Sequence, residues 1–141
     1  MPSATSGNAG LCLLFACAQS LAQAPTVMSD AEKVIAGLGI ASNYKTTAVE
    51  YFNRNHRFPN SNEELAIAPV AENPIVQRIE VSTPDANSRT VITVTFGRWA
   101  GANNVLTMTG WAMSGGIQFT CGGAGSTLAD ELRPAACKVT G

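Results

Sequence analysis

Apolar side chains recur at steps of three and four residues from Val34 to Phe52, which is the spacing of one face of an α-helix. Ser29 and Glu32, just before this stretch, have the spacing of a capping box. In such a box each side chain accepts a hydrogen bond from the backbone N–H of the other residue. Phe58-Pro59 follows the stretch, and the residue before a proline is disfavoured in the α region. The pattern predicts one helix of about six turns that begins at Ser29.

Four later stretches alternate apolar and polar side chains and are rich in the residues that favour β-strands. They are residues 75–81, 91–96, 105–111 and 117–121. Short, turn-rich connections separate them, so successive strands are expected to be antiparallel neighbours. Residues 60–74 are predicted to be a loop with at most a helical turn at 62–65. The predicted fold class is α+β, in which one long N-terminal helix packs on a four-stranded antiparallel β-meander and faces Ile92, Val94 and Phe96.

The first 24 residues contain no charged side chain, whereas every charged residue lies between Asp30 and Lys138. Residues 9–18 have the length of a secretory h-region, and Ala22-Gln23-Ala24 has the form that signal peptidases cut. We therefore expect residues 1–24 to be a cleaved signal segment and residues 25–141 to be a single exported domain. Two alternatives are lipidation of Cys17, which ends a loose lipobox and would tether the protein to a membrane, and an altered start of the chain.

Length and charge narrow the classes of function. A chain of 141 residues is one domain's worth, and an apolar fraction of 45% without a biased run excludes disorder and fibrous repeats. No uninterrupted apolar stretch approaches the roughly 20 residues of a membrane-spanning helix. The formal charge is -1, so net charge does not direct the protein to nucleic acid or acidic lipid.

Export would leave the domain with two cysteines, Cys121 and Cys137, and an even count in an oxidising compartment favours a disulfide. The alternative is a metal pair. Two thiols, one histidine and no Cys-x-x-Cys spacing make a poor set of ligands. We therefore expect neither a metal nor another cofactor.

The search for catalytic groups finds no convergent pair. His56 follows the predicted helix, where its side chain complements the helix dipole. Glu63 and Glu64 are sequence neighbours, which rarely face one pocket. The glycine-rich residues 122–126 resemble a phosphate loop, but no Lys-Ser or Lys-Thr follows. The chain is predicted not to be an enzyme and to have no small-molecule substrate.

Three cations and two tryptophans are candidate binding residues. Arg98, Arg133 and Lys138 are expected to form a small basic patch near the disulfide, with nucleic acid as its candidate partner. Trp99 and Trp111 are interpreted as core or cross-strand packing, and a stacking surface for sugar or single-stranded nucleic acid is the alternative.

The order of these features resembles the globular domain of type IV pilins, over about residues 30–139. The helix end at 48–52 precedes Arg-Phe-Pro-Asn at 57–60 and a Glu-Glu-Leu turn, and residues 118–121 and 132–137 match the cysteine-bearing last strand and the closing Pro-x-x-Cys. The resemblance implies a structural or interaction protein, a pilus subunit or pilus-associated protein in cell adhesion. Its partners would be other pilins or pilus assembly proteins, and its location the periplasm, cell surface or pilus. The alternative is a pilin-like DNA-binding module in DNA uptake.

Type IV pilins also begin with a long apolar helix that carries a glutamate near its start, and residues 1–29 show neither feature. The resemblance therefore implies a pilin-like protein that lacks the usual N-terminal polymerisation helix.

Overall fold

The structure, a computed structural model, describes residues 27–70 and 73–138. Helix α1 (Asp30–Asn55) is followed by the short helix α2 (Asn62–Leu65). The sheet comprises strands β1 (Val76–Asp85), β2 (Arg89–Phe96), β3 (Val105–Met113) and β4 (Gly116–Cys121). In the described residues three single turns of 3-10 helix lie outside the sheet, at Arg98–Ala100, Asp130–Leu132 and Ala135–Cys137.

Both ends of α1 are closed by local hydrogen bonds. The Ser29 hydroxyl accepts from the Glu32 N–H at 3.1 Å, and the Glu32 carboxylate accepts from the Ser29 N–H at 2.8 Å. At the other end His56 adopts a left-handed conformation with φ of 58°, and its N–H donates to the Phe52 carbonyl at 2.7 Å. The predicted capping box is confirmed, and the chain turns away from the helix just before Phe58-Pro59.

The four strands lie in the order β1-β2-β3-β4, and each neighbouring pair is antiparallel. The register carries one row of apolar side chains across the whole sheet. Its members, in strand order, are Val81, Ile92, Met108 and Cys121. This row belongs to the face that α1 covers, so the predicted helix-facing positions on β2 are confirmed: Ile92, Val94 and Phe96 are fully buried.

Helix α1 lies close against the sheet at Gly37. A Cβ at this position would overlap the Phe96 ring and stand 3.0 Å from a Val76 methyl carbon. The helix therefore lies directly against β1 and β2 here because residue 37 has no side chain. The buried apolar core includes Val34, Ala41, Tyr44 and Ala48 from α1 and Leu106 and Leu128 from beyond β2.

The strands are longer than alternation alone predicts. Strand β1 runs to Asp85, through the residues expected to form a loop, and residues 86–88 make the hairpin turn. Pro84 is accommodated because β1 is an edge strand, where a missing N–H need not break a ladder. The pairing shifts register between Ser82 and Asp85, next to this proline.

Candidate binding surface at the C-terminal disulfide

Cys121 and Cys137 form the expected disulfide, with their Cα atoms 4.5 Å apart. Each sulfur is bonded to the other, so the alternative of a thiolate metal pair is wrong for these residues. The bridge closes a separation of 16 residues. Closing a loop of this size stabilises the fold by about 3 kcal/mol in the chain-entropy account. We call residues 121–137 the disulfide-closed segment.

The glycine-rich start of this segment is attached to β3 by backbone hydrogen bonds. The Gly122 N–H donates to the Thr107 carbonyl at 2.8 Å, and the Leu128 N–H donates to the Val105 carbonyl at 2.9 Å. Between them the Ser126 hydroxyl accepts from the Thr107 N–H at 3.0 Å. After β4 ends, the chain thus remains beside the first half of β3, and residues 122–128 are held in place.

Position 122 requires a glycine for two reasons, the conformation of its backbone and its closeness to Cys137. Its φ is 89°, which side chains rarely adopt, and a Cβ there would collide with the Cys137 carbonyl. The two ends of the segment therefore meet closely only because a glycine follows Cys121.

Arg133 holds the segment together from inside. Its side chain is only 8% exposed. Its Nε donates to the Leu128 carbonyl at 2.8 Å, and one terminal nitrogen donates to the carbonyls of Gly122 and Cys137, each at 3.3 Å. The guanidinium fits this task because its donors are planar and divergent. Sequence reasoning placed Arg133 in a surface patch, and it missed this structural role because the three carbonyls converge only in the folded chain.

The other two cations of the predicted patch are exposed but belong to different features. Arg98 begins the 3-10 turn after β2 and lines a cavity of about 680 Å³ together with Lys33 and Trp99. Lys138 follows the disulfide. Of the three predicted cations, Arg98 and Lys138 are thus exposed and Arg133 is buried. The contact with nucleic acid stays a prediction.

Buried anchors alternate with exposed residues along the disulfide-closed segment. Leu128, Arg133 and Cys137 are buried. The exposed residues are Gly123, Ala124, Gly125, Thr127, Ala129, Asp130, Glu131, Ala135 and Ala136. The segment therefore presents small and polar side chains from a backbone that is fixed beneath them.

A groove of about 510 Å³ separates the middle of α1 from β4 and the end of the segment. Leu38 and Gly39 line its helix side, and Phe119 and Pro134 line the opposite side. The Lys45 ammonium lies 5.3 Å from the centre of the Phe119 ring. We call this feature the β4 groove.

The remaining candidates occupy structural positions. Trp99 donates its indole N–H to the Ile75 carbonyl at 2.9 Å and packs edge-on against Phe96, as core packing predicts. Trp111 differs, because it is 39% exposed on the sheet face away from α1, with the Arg89 guanidinium 5.3 Å from its ring centre.

The adjacent glutamates do not form a catalytic pair. Glu64 makes an ion pair with Arg57 at 3.0 Å and accepts from the Asn60 N–H at 2.6 Å. Hydrogen bonding to Arg57, and secondly to that N–H, lowers the pKa of the Glu64 carboxyl from its ordinary 4.5 to about 2. Glu64 is thus an ionised tether for the loop that follows α1.

Within residues 27–70 and 73–138 there is no group of three or more metal-ligating His, Cys, Asp or Glu side chains. None of the helices in the same ranges is long and apolar enough to cross a membrane.

The fold, the disulfide and the order of elements agree with one family of proteins. The family profile described as Pilin (bacterial filament) matches residues 33–138, from the first turns of α1 to the end of the disulfide-closed segment. The chain belongs to the pilin family. No curated protein shows significant sequence similarity to it.

Membership confirms the predicted resemblance and its α+β architecture. Pilins are structural, non-enzymatic subunits that assemble with other pilins in extracellular filaments, so this chain is a pilus-subunit-like structural protein. The predicted signal segment 1–24, the lipidation of Cys17 and the expected lack of a polymerisation helix all fall on residues outside those that the structure describes.

Proposed function

We propose that this pilin is an exported subunit of an adhesive pilus and that its disulfide-closed segment contacts the surface to which the cell attaches. The observation that carries the proposal is the alternation of buried anchors with exposed residues along that segment. A binding surface whose backbone is already ordered loses less conformational entropy on contact than a mobile loop does. The proposed role uses binding and requires no chemical turnover.

The first turns of α1 support contact with neighbouring subunits. Val27 and Met28 are exposed just before the helix, and Ile35 is 61% exposed in its second turn. Apolar side chains in solvent at one end of a helix are available for burial against another subunit. The disulfide also agrees with export, because such bonds persist in oxidising compartments.

The proposal is tested by competition. The full chain is added to piliated cells, and attachment to the target surface is measured against that of a variant with Ala124→Glu and Glu131→Lys. Both substituted positions are exposed in the segment. We expect the unaltered chain to inhibit attachment and the variant to inhibit it much less.

The matched control combines Gln77→Glu with Glu80→Lys on β1, which makes the same change of charge at two exposed positions away from the segment. It should inhibit attachment as well as the unaltered chain. Equal inhibition by all three proteins, or by none, would contradict a role of the segment in adhesion.

A further inference from the structure

Strand β4 forms one edge of the sheet, and its hydrogen-bonding pattern identifies the backbone groups that face outwards. Thr109 pairs with Thr120 and Trp111 with Gln118, and the Gly122 N–H bonds the Thr107 carbonyl. Bonded and non-bonded pairs alternate in an antiparallel ladder, so every second pair counted from the bonded residues Gly122 and Thr107 is also bonded. Thr120 and Gln118 belong to these bonded pairs, and they therefore direct their N–H and C=O groups towards β3. Ile117, Phe119 and Cys121 direct theirs away from the sheet.

The N–H and C=O groups of Ile117 and Phe119, at the centre of this edge, have no hydrogen-bond partner within residues 27–70 and 73–138. Strand β4 also has none of the features that commonly protect an edge: its sequence Gly-Ile-Gln-Phe-Thr-Cys contains no charge and no proline, and its pairing with β3 is continuous. An edge of this kind is a template for another strand.

We propose that β4 pairs with β4 of a second copy of this chain, antiparallel and about a twofold axis at Gln118. In this register Ile117 stands opposite Phe119 of the second copy, and Phe119 opposite its Ile117. The N–H and C=O groups of Ile117 and Phe119 are then all paired, by four hydrogen bonds between the two strands. The result is one continuous eight-stranded sheet.

The side chains of β4 complement themselves in this register. On the α1 side each strand contributes one aliphatic and one aromatic side chain, which form two identical cross-strand pairs of a favourable type. On the other side the two exposed Gln118 side chains meet, and each amide both donates and accepts. No ionisable side chain lies on either strand, so no like charges are brought together between them.

A twofold contact uses the same patch on both subunits and closes on itself. The inference therefore does not depend on filament assembly or on adhesion, and it holds for the full chain in solution.

The test uses opposite charges at residue 118. Gln118→Lys and Gln118→Glu each place like charges face to face across the proposed axis, and each should weaken dimerisation at least about tenfold. An equimolar mixture of the two variants should restore the dimer, because unlike charges then meet. Sedimentation velocity of the full chain from micromolar to near-millimolar concentration measures the effect, and circular dichroism checks that each variant is folded.

Thr120→Lys is the control, because it adds the same charge to the same exposed face of β4 but pairs with Gly116 of the second copy in this register. The two introduced lysines would then lie about 13 Å apart along the strands, beyond a Debye length of about 8–10 Å. This variant should dimerise nearly as well as the unaltered chain.

Any of three results would overturn the proposal: an unaltered chain that stays monomeric throughout the concentration range, charged variants that dimerise as well as the unaltered chain, or a mixture of the two variants that dimerises no better than either alone. A chain that stays monomeric but binds a synthetic extended peptide at β4 would assign this edge to a strand of another protein.

Discussion

The two edges of the sheet are built in opposite ways. At the β1 edge, the Asn62 side chain occupies the hydrogen-bonding positions of a further strand: its Nδ2 donates to the Ile79 carbonyl and its Oδ1 accepts from the Val81 N–H, both at 2.8 Å. The Thr83 hydroxyl donates to the Pro59 carbonyl beside it. The β4 edge has no such cover among the described residues, and Ile117 and Phe119 leave their backbone groups unpaired there.

The difference between the two edges follows from the path of the neighbouring chain segments beside each edge strand. The loop after α1 passes along β1 and delivers Asn62 to its edge. The residues after β4 instead return to the first half of β3, where Gly122 and Leu128 bond, so they leave the outside of β4 uncovered. A single sheet can thus be partly covered at one edge by its own chain and uncovered at the other, and loop placement decides which.

Helix α1 also packs differently on its two sides. Substituting two of its glycines by alanine tests this difference, and of all our predictions we expect this one to give the largest change in stability. Gly37 touches Phe96 and Val76 on the β1 side, whereas Gly39 is exposed beside the β4 groove and has nothing within 4 Å of an added Cβ. Both Gly37→Ala and Gly39→Ala gain the helical preference of alanine, about 1 kcal/mol. Only Gly37→Ala overpacks the core, at about 1–3 kcal/mol.

The free energy of unfolding in urea should therefore differ by about 1–3 kcal/mol between these variants, with Gly39→Ala the more stable. Equal stabilities would show that α1 lies no closer to β1 and β2 than to β4.

Removing the cover of the β1 edge should have an intermediate effect. Asn62→Ala leaves the Ile79 carbonyl and the Val81 N–H without their partners, at a cost of about 1–2 kcal/mol in the free energy of unfolding. It also gives the domain a second open edge, so sedimentation velocity should detect species larger than a dimer.

Ser61→Ala is the control for Asn62→Ala, because the Ser61 side chain makes no capping hydrogen bond. Its stability and size distribution should match those of the unaltered chain. If Asn62→Ala behaved in the same way, the β1 edge would be protected by something other than this amide.

The smallest effect concerns pH and the ion pair between Arg57 and Glu64, which lies in the same short helix as Asn62. The pKa of Glu64 is lowered in the folded protein to about 2, so its ion pair with Arg57 stabilises the fold above pH 4.5 and this contribution is lost as the pH falls towards 2. Glu64→Gln removes the charge. Its urea midpoint should lie below that of the unaltered chain at neutral pH.

The difference between those two midpoints should shrink as the pH falls through the folded pKa of Glu64, because the unaltered carboxyl then becomes neutral too. A difference that stays constant down to this pH would mean that the Arg57–Glu64 pair does not contribute through its charge.

Local and periodic signals made much of the fold predictable. Ser29 and Glu32 cap α1 through contacts three residues apart, and alternation along β2 placed Ile92 and Val94 in the core. Such features depend on neighbours in sequence or on one repeating period. The end of β1 was less predictable, because Pro84 is a loop signal everywhere except at an edge, and edges are defined only by the complete sheet.

For the candidate surface, the sequence allowed the disulfide to be predicted but not the hydrogen bonds that hold the segment in place. Arg133 resembles any surface cation in sequence, since its three carbonyl partners come together only after the segment has folded. Asn62 likewise bonds residues 17 and 19 positions away. Side chains that bond distant backbone groups carry no periodic signal, so sequence patterns do not reveal them.

The arrangement around Arg133 has an evolutionary consequence. Its guanidinium holds the segment through main-chain carbonyls, which every amino acid possesses, so the anchoring does not depend on the side chains of the exposed positions. Residues such as Ala124, Glu131 and Ala135 can therefore mutate without loss of the fold. The outer side chains of the segment can thus diverge in sequence while the path of the backbone beneath them is kept.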